Sequence, residues 1–349
     1  MGYGPSQEAL GSKLAALCDV RVGKSLDSMY TVGDVIGEGR FSKVYEGLRL
    51  SSNTKVALKE IDQGALEEDE EALEMLEAEV VALRRATSAD HVVKLHEVVA
   101  ADDAVWLAME RVPGRELFEL VEEKGALPNA LVSSLMKQLL TALEALARLG
   151  VVHRDVKPEN MMVSEAEGAP TRLTLIDFGY AALLSVGDGA SGGEQQLSGV
   201  AGSPEYAAPE VLSWLEVEAD ETGIAVGEPY DAGCDVWSVG VTTHVLLSAE
   251  LPFELPEDCT EESLVAAARS AKLTFRRPEW AGDAMADARD FVTQCMSVAR
   301  EERPSARALL DHPWVTPPTK GANDAYVEVA SHRPSAPAAE PHAHPPLPD

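Results

Sequence analysis

Eight consecutive residues, His153-Arg154-Asp155-Val156-Lys157-Pro158-Glu159-Asn160, put a carboxylate, an ammonium and a carboxamide within one loop-sized stretch. Asp155 can accept or orient the proton of a hydroxyl nucleophile, Lys157 can neutralise phosphate charge, and Asn160 offers a carbonyl oxygen to a hard cation. Pro158 and Asn160 rule out a regular helix or a central strand, while apolar Leu149 to Val152 lead in, so the spacing predicts a loop held on a buried scaffold. A second carboxylate comes from Asp177-Phe178-Gly179, at the end of the apolar run Leu173 to Ile176. Two oxygen ligands on adjacent loops suit magnesium, which usually takes few protein groups and completes its shell with water and substrate phosphates.

Two further stretches suit phosphate chemistry. Gly37-Glu38-Gly39-Arg40-Phe41-Ser42 lies between two strand-like runs, where backbone amides can approach a phosphate that side chains would block. Its third glycine is replaced by Ser42 and it opens no helix, which speaks against a dinucleotide fingerprint. Val56-Ala57-Leu58-Lys59 then places a lone ammonium in an apolar run, where it needs an anionic partner. Glu79, bordering the apolar stripe of a carboxylate-rich helix, is the candidate.

The elements that must hold these groups are legible in outline. Val32, Val35 and Ile36, then Lys43 to Leu50 and Lys55 to Ile61, predict strands around the polar turn Ser51-Ser52-Asn53. Leu73, Leu76, Val80 and Leu83 predict one amphipathic helix between Glu67 and Arg85, with Arg84 and Arg85 at its negative end. His91 to Val99 and Ala104 to Glu110 read as further strands, and Pro113-Gly114 breaks the pattern. Helices dominate afterwards: Glu116 to Glu123, Asn129 to Leu149, Val236 to Ser248, Glu261 to Ser270, Ala284 to Ser297 and Ser305 to Leu310. The fold class expected is α+β, a small β-rich lobe with one helix followed by a larger helical lobe.

Leu10, Leu14 and Leu17 allow a short amphipathic helix within a leader spanning 1–28. The long stretches Ser185 to Gly202 and Leu215 to Glu228 read as functional or irregular loops. Residues 316–349, rich in Pro, Ala and His, read as a disordered tail. The net charge of −30 argues against nucleic acid as a partner and favours basic ones. Cys18, Cys234, Cys259 and Cys295 lack metal or disulfide spacing, which suits a reducing compartment. No apolar run reaches the roughly 18 residues of a membrane span, and Met1-Gly2 with bulky Tyr3 and no basic patch gives no stable membrane anchor. The expected location is cytoplasmic, with the nucleus also open to the chain.

In order, the glycine loop, VALK, HRDVKPEN, DFG and Ala208-Pro209-Glu210 resemble a eukaryotic protein kinase over residues 30–315, with the lobes meeting at 112–113. Asp235-Val236-Trp237-Ser238-Val239-Gly240 is similar to the family's buried central helix, and Arg303-Pro304 through His312-Pro313-Trp314 to its last helix. The resemblance implies ATP and Mg2+ as cofactors. It implies Lys59 on the α- and β-phosphates, paired with Glu79, with Asp155 as catalytic base beside Lys157 and with Asn160 and Asp177 on the metal. The nucleotide set it implies is Ile36, Gly37, Gly39, Ser42, Val44, Ala57, Lys59, Met109 as gatekeeper, Glu110 to Val112, Glu116 and Met162. A spine of Leu83, Leu95, His153 and Phe178 should join the lobes, and Glu210 should pair with Arg303.

Lys157 and Gly202-Ser203-Pro204-Glu205-Tyr206 look like the serine/threonine class. Pro113-Gly114-Arg115-Glu116-Leu117-Phe118 is similar to the calcium/calmodulin-dependent-like group, which implies protein substrates with basic residues upstream of the acceptor, read by Glu116 and Glu159. Gly199 stands where many relatives carry a phosphorylated threonine; Ser198 beside it is the candidate phosphosite, with Arg154 as its receiver. The tail carries only Lys320 and Arg333 as cations, so no calmodulin-binding helix is expected there. A catalytically silent scaffold or a small-molecule phosphotransferase are the rival readings. The complete set of catalytic groups opposes the first, and the GSPEY and APE elements oppose the second.

Overall fold

The computed structural model describes residues 13, 16–21, 25–39, 42–164, 171–184, 196–215, 227–255 and 260–316. Arg40 and Phe41, Leu10 and Leu14 of the leader, Cys259, nearly all of the 215–228 stretch and the tail from 317 onward lie outside them.

The first lobe is a sheet with helices on one side. Its strands are β1 (Val20–Arg21), β2 (Tyr30–Gly39), β3 (Ser42–Arg49) and β4 (Thr54–Asp62), followed after two helices by β5 (Leu95–Ala101) and β6 (Ala104–Glu110). The sheet order is β1-β5-β6-β4-β3-β2, antiparallel except that β1 runs parallel to β5. Apolar runs of β4, β5 and β6, buried at the centre of the sheet, drive the meander, and Ser51 to Asn53 make the turn expected of them.

The helix expected between Glu67 and Arg85 is present from Glu70 onward, and a shorter helix that the sequence reading did not expect precedes it. Asp62 caps α1 (Gln63–Glu68) through its contact with the Ala65 N–H, and Asp69, in an extended conformation, accepts from the Glu71 and Ala72 N–H groups to start α2 (Glu70–Arg85). The strand expected from His91 starts only at Leu95, because His91 takes a left-handed φ of 61° that breaks an extended run.

The second lobe begins with β7 (Arg115–Glu116), α3 (Leu117–Lys124) and α4 (Asn129–Arg148). Strands β8 (Val151–Val152), β9 (Met161–Ser164), β10 (Arg172–Leu175) and β11 (Ala182–Leu183) form two small sheets, β10-β9-β7 and β11-β8. Then come α5 (Pro209–Leu212), α6 (Gly233–Ser248), α7 (Glu261–Ser270), α8 (Ala286–Cys295) and α9 (Ala306–Leu309). Among the described helices α4 alone has the length and apolarity of a membrane span, but it packs against α6, α9 and β10 as a core helix.

Every residue of α6 from Cys234 to Ser248 is buried, its polar side chains included, so this helix is enclosed on all sides and forms the centre of the lobe. At Gly240 a Cβ would come 2.6 Å from Met296 Cγ and 2.8 Å from Cys295 Cβ, so only glycine lets the helix lie this close to the end of α8. Glu210 and Arg303 close the lobe with a bidentate pair at 2.7 and 3.2 Å, and the guanidinium lies 5.4 Å from the centre of the Trp237 ring.

Candidate active site

Strand pairing brings the glycine stretch and Lys59 to one face. Gly37 lies opposite Val44 and Val44 opposite Lys59, so the three share one side of the sheet; Ala57, two residues from Lys59, lies opposite Met109. Gly39 pairs with Ser42 at the tip, where a Cβ on Gly39 would sit 2.9 Å from the Ser42 hydroxyl. Ile36 is exposed beside this row. Met109 and Glu110 end β6, half-buried; the following Arg111 donates to the Val112 carbonyl at 2.8 Å and contacts Glu46 at 3.2 Å. Met162, on β9 of the second lobe, pairs with Glu116 of β7.

Lys59 is buried and donates to Glu79 Oε1 at 2.6 Å and Asp177 Oδ1 at 3.2 Å. Burial alone would lower the lysine pKa, but the Asp177 and Glu79 carboxylates outweigh it and raise it, so the ammonium stays charged. Burial pushes the Glu79 carboxyl up, with Lys59 opposing. Lys59 also pulls Asp177 down to about 2, against the cost of burial and with the help of a Gly179 N–H at 3.1 Å. Asp177 is ionised throughout the physiological range as a result.

The loop at 153–160 is held from below by Asp235, the first carboxylate of α6. His153 N–H and Arg154 N–H each donate to it at 2.8 Å, which forces Arg154 into a left-handed φ of 65°. Burial raises the Asp235 carboxyl, opposed by His153 and Arg154. Asp155, itself buried, accepts from Asn160 Nδ2 at 2.7 Å, from the Ser203 N–H at 2.8 Å and from Lys157 at 3.1 Å. Lys157 also donates to Ser203 Oγ at 2.5 Å. Both amide hydrogens of Asn160 go to Asp155, the second to its carbonyl at 2.8 Å, which leaves Asn160 Oδ1 for a cation.

A bond from the Ile176 N–H to the Asn160 carbonyl at 2.8 Å ties this loop to the next, so Asn160 and Asp177 are fixed relative to each other. Asp177 has a left-handed φ of 53° with a half-exposed side chain, while Phe178 turns inward and meets His153 edge-on at 4.8 Å between ring centres. Leu83 is buried and Leu95 packs against the same core. An ionised carboxylate and a carboxamide oxygen, with no group of three or more His, Cys, Asp or Glu arranged to hold a metal among the described residues, suit a hard cation that completes its shell from phosphates.

Four residues hold this site in ways the sequence reading did not assign: Gly202 and Ser203, noted there only within GSPEY, Asp235, noted only in the central-helix motif, and Tyr230. Ser203 connects Asp155 and Lys157, and Gly202 before it must be glycine: its φ is 78° and a Cβ would come 2.1 Å from the Arg154 carbonyl oxygen. Tyr230, fully buried, accepts from Arg154 Nη1 at 3.1 Å and donates to the Gly199 carbonyl at 3.0 Å. Arg154 Nε donates to the Tyr180 carbonyl at 2.7 Å, so the arginine expected to receive a phosphate on Ser198 is already engaged. Asp235 had a visible signal, a lone acid opening an apolar run; Ser203 had none beyond its motif, and Tyr230 had none.

Near Asp155 the carboxylates gather. Burial raises Glu116, followed by the effect of Glu119 and Glu159. Burial also raises Glu159, with Asp155 and Glu205 adding to it and Lys157 opposing. Glu159 Oε2 is buried with no hydrogen-bond partner.

Residues 30–315 match the family model described as protein kinase domain. The chain belongs to the protein kinase family. It is 33% identical over 313 residues to calcium/calmodulin-dependent protein kinase type 1 of Caenorhabditis briggsae, covering 88% of this chain and 78% of that protein. A probable myosin light chain kinase of Dictyostelium discoideum is 31% identical over 300 residues, 84% of this chain and 69% of the relative. Serine/threonine-protein kinase DCLK2 of Homo sapiens is 33% identical over 301 residues, 86% of this chain but 36% of the longer relative. This kinase is therefore a serine/threonine enzyme of the calcium/calmodulin-dependent-kinase-like group, acting on protein substrates with ATP and a divalent metal.

Proposed function

We propose that this kinase transfers the γ-phosphoryl group of Mg-ATP to serine or threonine hydroxyls that follow basic residues in the substrate. Asp155 orients the acceptor hydroxyl and takes up its proton, with the Ser203 N–H and Asn160 fixing the carboxylate. Lys157, beside Asp155, offsets charge on the transferred group, and Lys59 holds the α- and β-phosphates while Glu79 keeps its ammonium in place. Asn160 and Asp177 would hold magnesium, which supplies charge neutralisation at the phosphates.

The observation that carries the substrate preference is the partnerless Glu159 Oε2, a buried carboxylate oxygen beside Glu116 and Glu205. An arginine or lysine of the substrate would satisfy it, and the acceptor then lies at Asp155, four residues away in the same loop. A degenerate peptide library tests this: selection of Arg or Lys upstream of the acceptor is expected, and no selection overturns it. We further infer that Thr316 to Asp349 does not bind calmodulin, because Lys320 and Arg333 are its only cations; a peptide of that sequence should show no calcium-dependent binding to calmodulin.

A further inference from the structure

Leu17 and Asp19 precede the family match, which begins at residue 30, yet they are bonded to the helix that carries Glu79. Asp19 clips onto the edge of β5: its N–H donates to the Val98 carbonyl at 2.9 Å, and its Oδ2 accepts from the Val98 N–H at 2.9 Å. Its other oxygen, Oδ1, accepts from Arg84 Nη2 at 2.8 Å, and the same nitrogen donates to the Leu17 carbonyl at 2.6 Å. The Leu17 side chain is buried in the cluster that holds Leu73, Leu76, Val80 and Leu83 of α2. The chain continues into β1, parallel to β5. On its other side the last turn of α2 is tied to the second lobe, where Arg85 donates to the Leu149 carbonyl at 3.1 Å.

Glu79 lies five residues before Arg84 on this one rigid helix, and it must stay 2.6 Å from Lys59. A cleft of about 640 Å³ borders the helix, lined by Leu17, Met75, Ala78, Val81, Ala182 and Leu183. We propose that Leu17, Asp19 and Arg84 form a clamp that holds α2 where Glu79 meets Lys59, so that the segment before the kinase domain sets nucleotide affinity and turnover without touching nucleotide. The clamp rests on the reading of Lys59 and Glu79 given above.

The test is steady-state kinetics of the full chain with Mg-ATP and a basic peptide, comparing wild type, Asp19→Ala, Arg84→Lys, Glu79→Gln and the Asp19→Ala/Glu79→Gln double variant. Asp19 and Arg84 are partly exposed, so the single variants are expected to fold, as thermal melts will verify. The clamp predicts an ATP KM raised about three- to five-fold in Asp19→Ala and in Arg84→Lys, with the peptide KM unchanged. It also predicts that the double variant is no worse than Glu79→Gln alone, because Asp19 acts only through Glu79. Additive losses in the double variant, an equal rise in both KM values, or wild-type constants in Asp19→Ala beside an impaired Glu79→Gln overturn the clamp while leaving the site reading intact. Wild-type constants in Glu79→Gln overturn the site reading, and the clamp with it.

Discussion

Glu159 carries a buried oxygen with no partner in a cluster of acids that burial has already pushed up. Replacing it by glutamine removes a charge-assisted contact, for which a loss of about 1.5–3 kcal/mol is typical, so the KM for an arginine-containing peptide should rise at least about tenfold. A peptide without upstream cations should be unaffected. The pH dependence has a definite sign: Glu116 and Glu159 bind a cation only when ionised, and their raised pKa values mean they protonate at higher pH than ordinary glutamates. Peptide KM should therefore climb on acidification for the basic peptide before it does for the neutral one, while Asp177, held near 2, stays ionised. At this scale much was legible. Lys59 in an apolar run required a carboxylate, and Glu79 lies 2.6 Å from it. Ser203 was not, because its contacts to Asp155 and Lys157 span more than forty residues and leave no local pattern.

Tyr230 acts between elements. Its hydroxyl joins Arg154 to the Gly199 carbonyl, and its backbone pairs with Leu197, so the stretch at 197–199 is pinned to the catalytic loop without a phosphate. Tyr230→Phe should lower kcat about tenfold through the loss of buried hydrogen bonds, measured on phosphatase-treated protein. Ser198→Ala should keep the kcat of wild-type protein that has not been treated with phosphatase, since the Tyr180 carbonyl and the Tyr230 hydroxyl already hold Arg154 in place. Long periodic elements such as α4 and α6 were readable within three residues at each end. The break at Asp69 was not, because a capping aspartate among so many surface carboxylates looks like one more of them. Nor was β1, whose two residues carry no periodicity and are held by an edge formed far along the chain.

For the whole molecule, the Glu210–Arg303 pair locks the helical lobe, with both side chains buried. Glu210→Ala leaves the guanidinium uncompensated and should cost about 3–5 kcal/mol of stability, read by denaturant unfolding, while the ATP KM of the folded fraction is unchanged. The net charge of −30 also predicts that kcat/KM for a basic peptide falls with rising ionic strength more steeply than for a neutral one. The two-lobed architecture was legible because motif order and the change from strand to helix periodicity agree; the leader's attachment to α2 was not, since it depends on tertiary contacts alone. The most direct measurement of the central claim is mass spectrometry of a basic serine/threonine peptide after incubation with Mg-ATP and either the wild-type kinase or Asp155→Ala. Phosphate on a serine or threonine with wild type and none with Asp155→Ala is the expected result; no phosphopeptide from wild type, or an equal yield from Asp155→Ala, contradicts it.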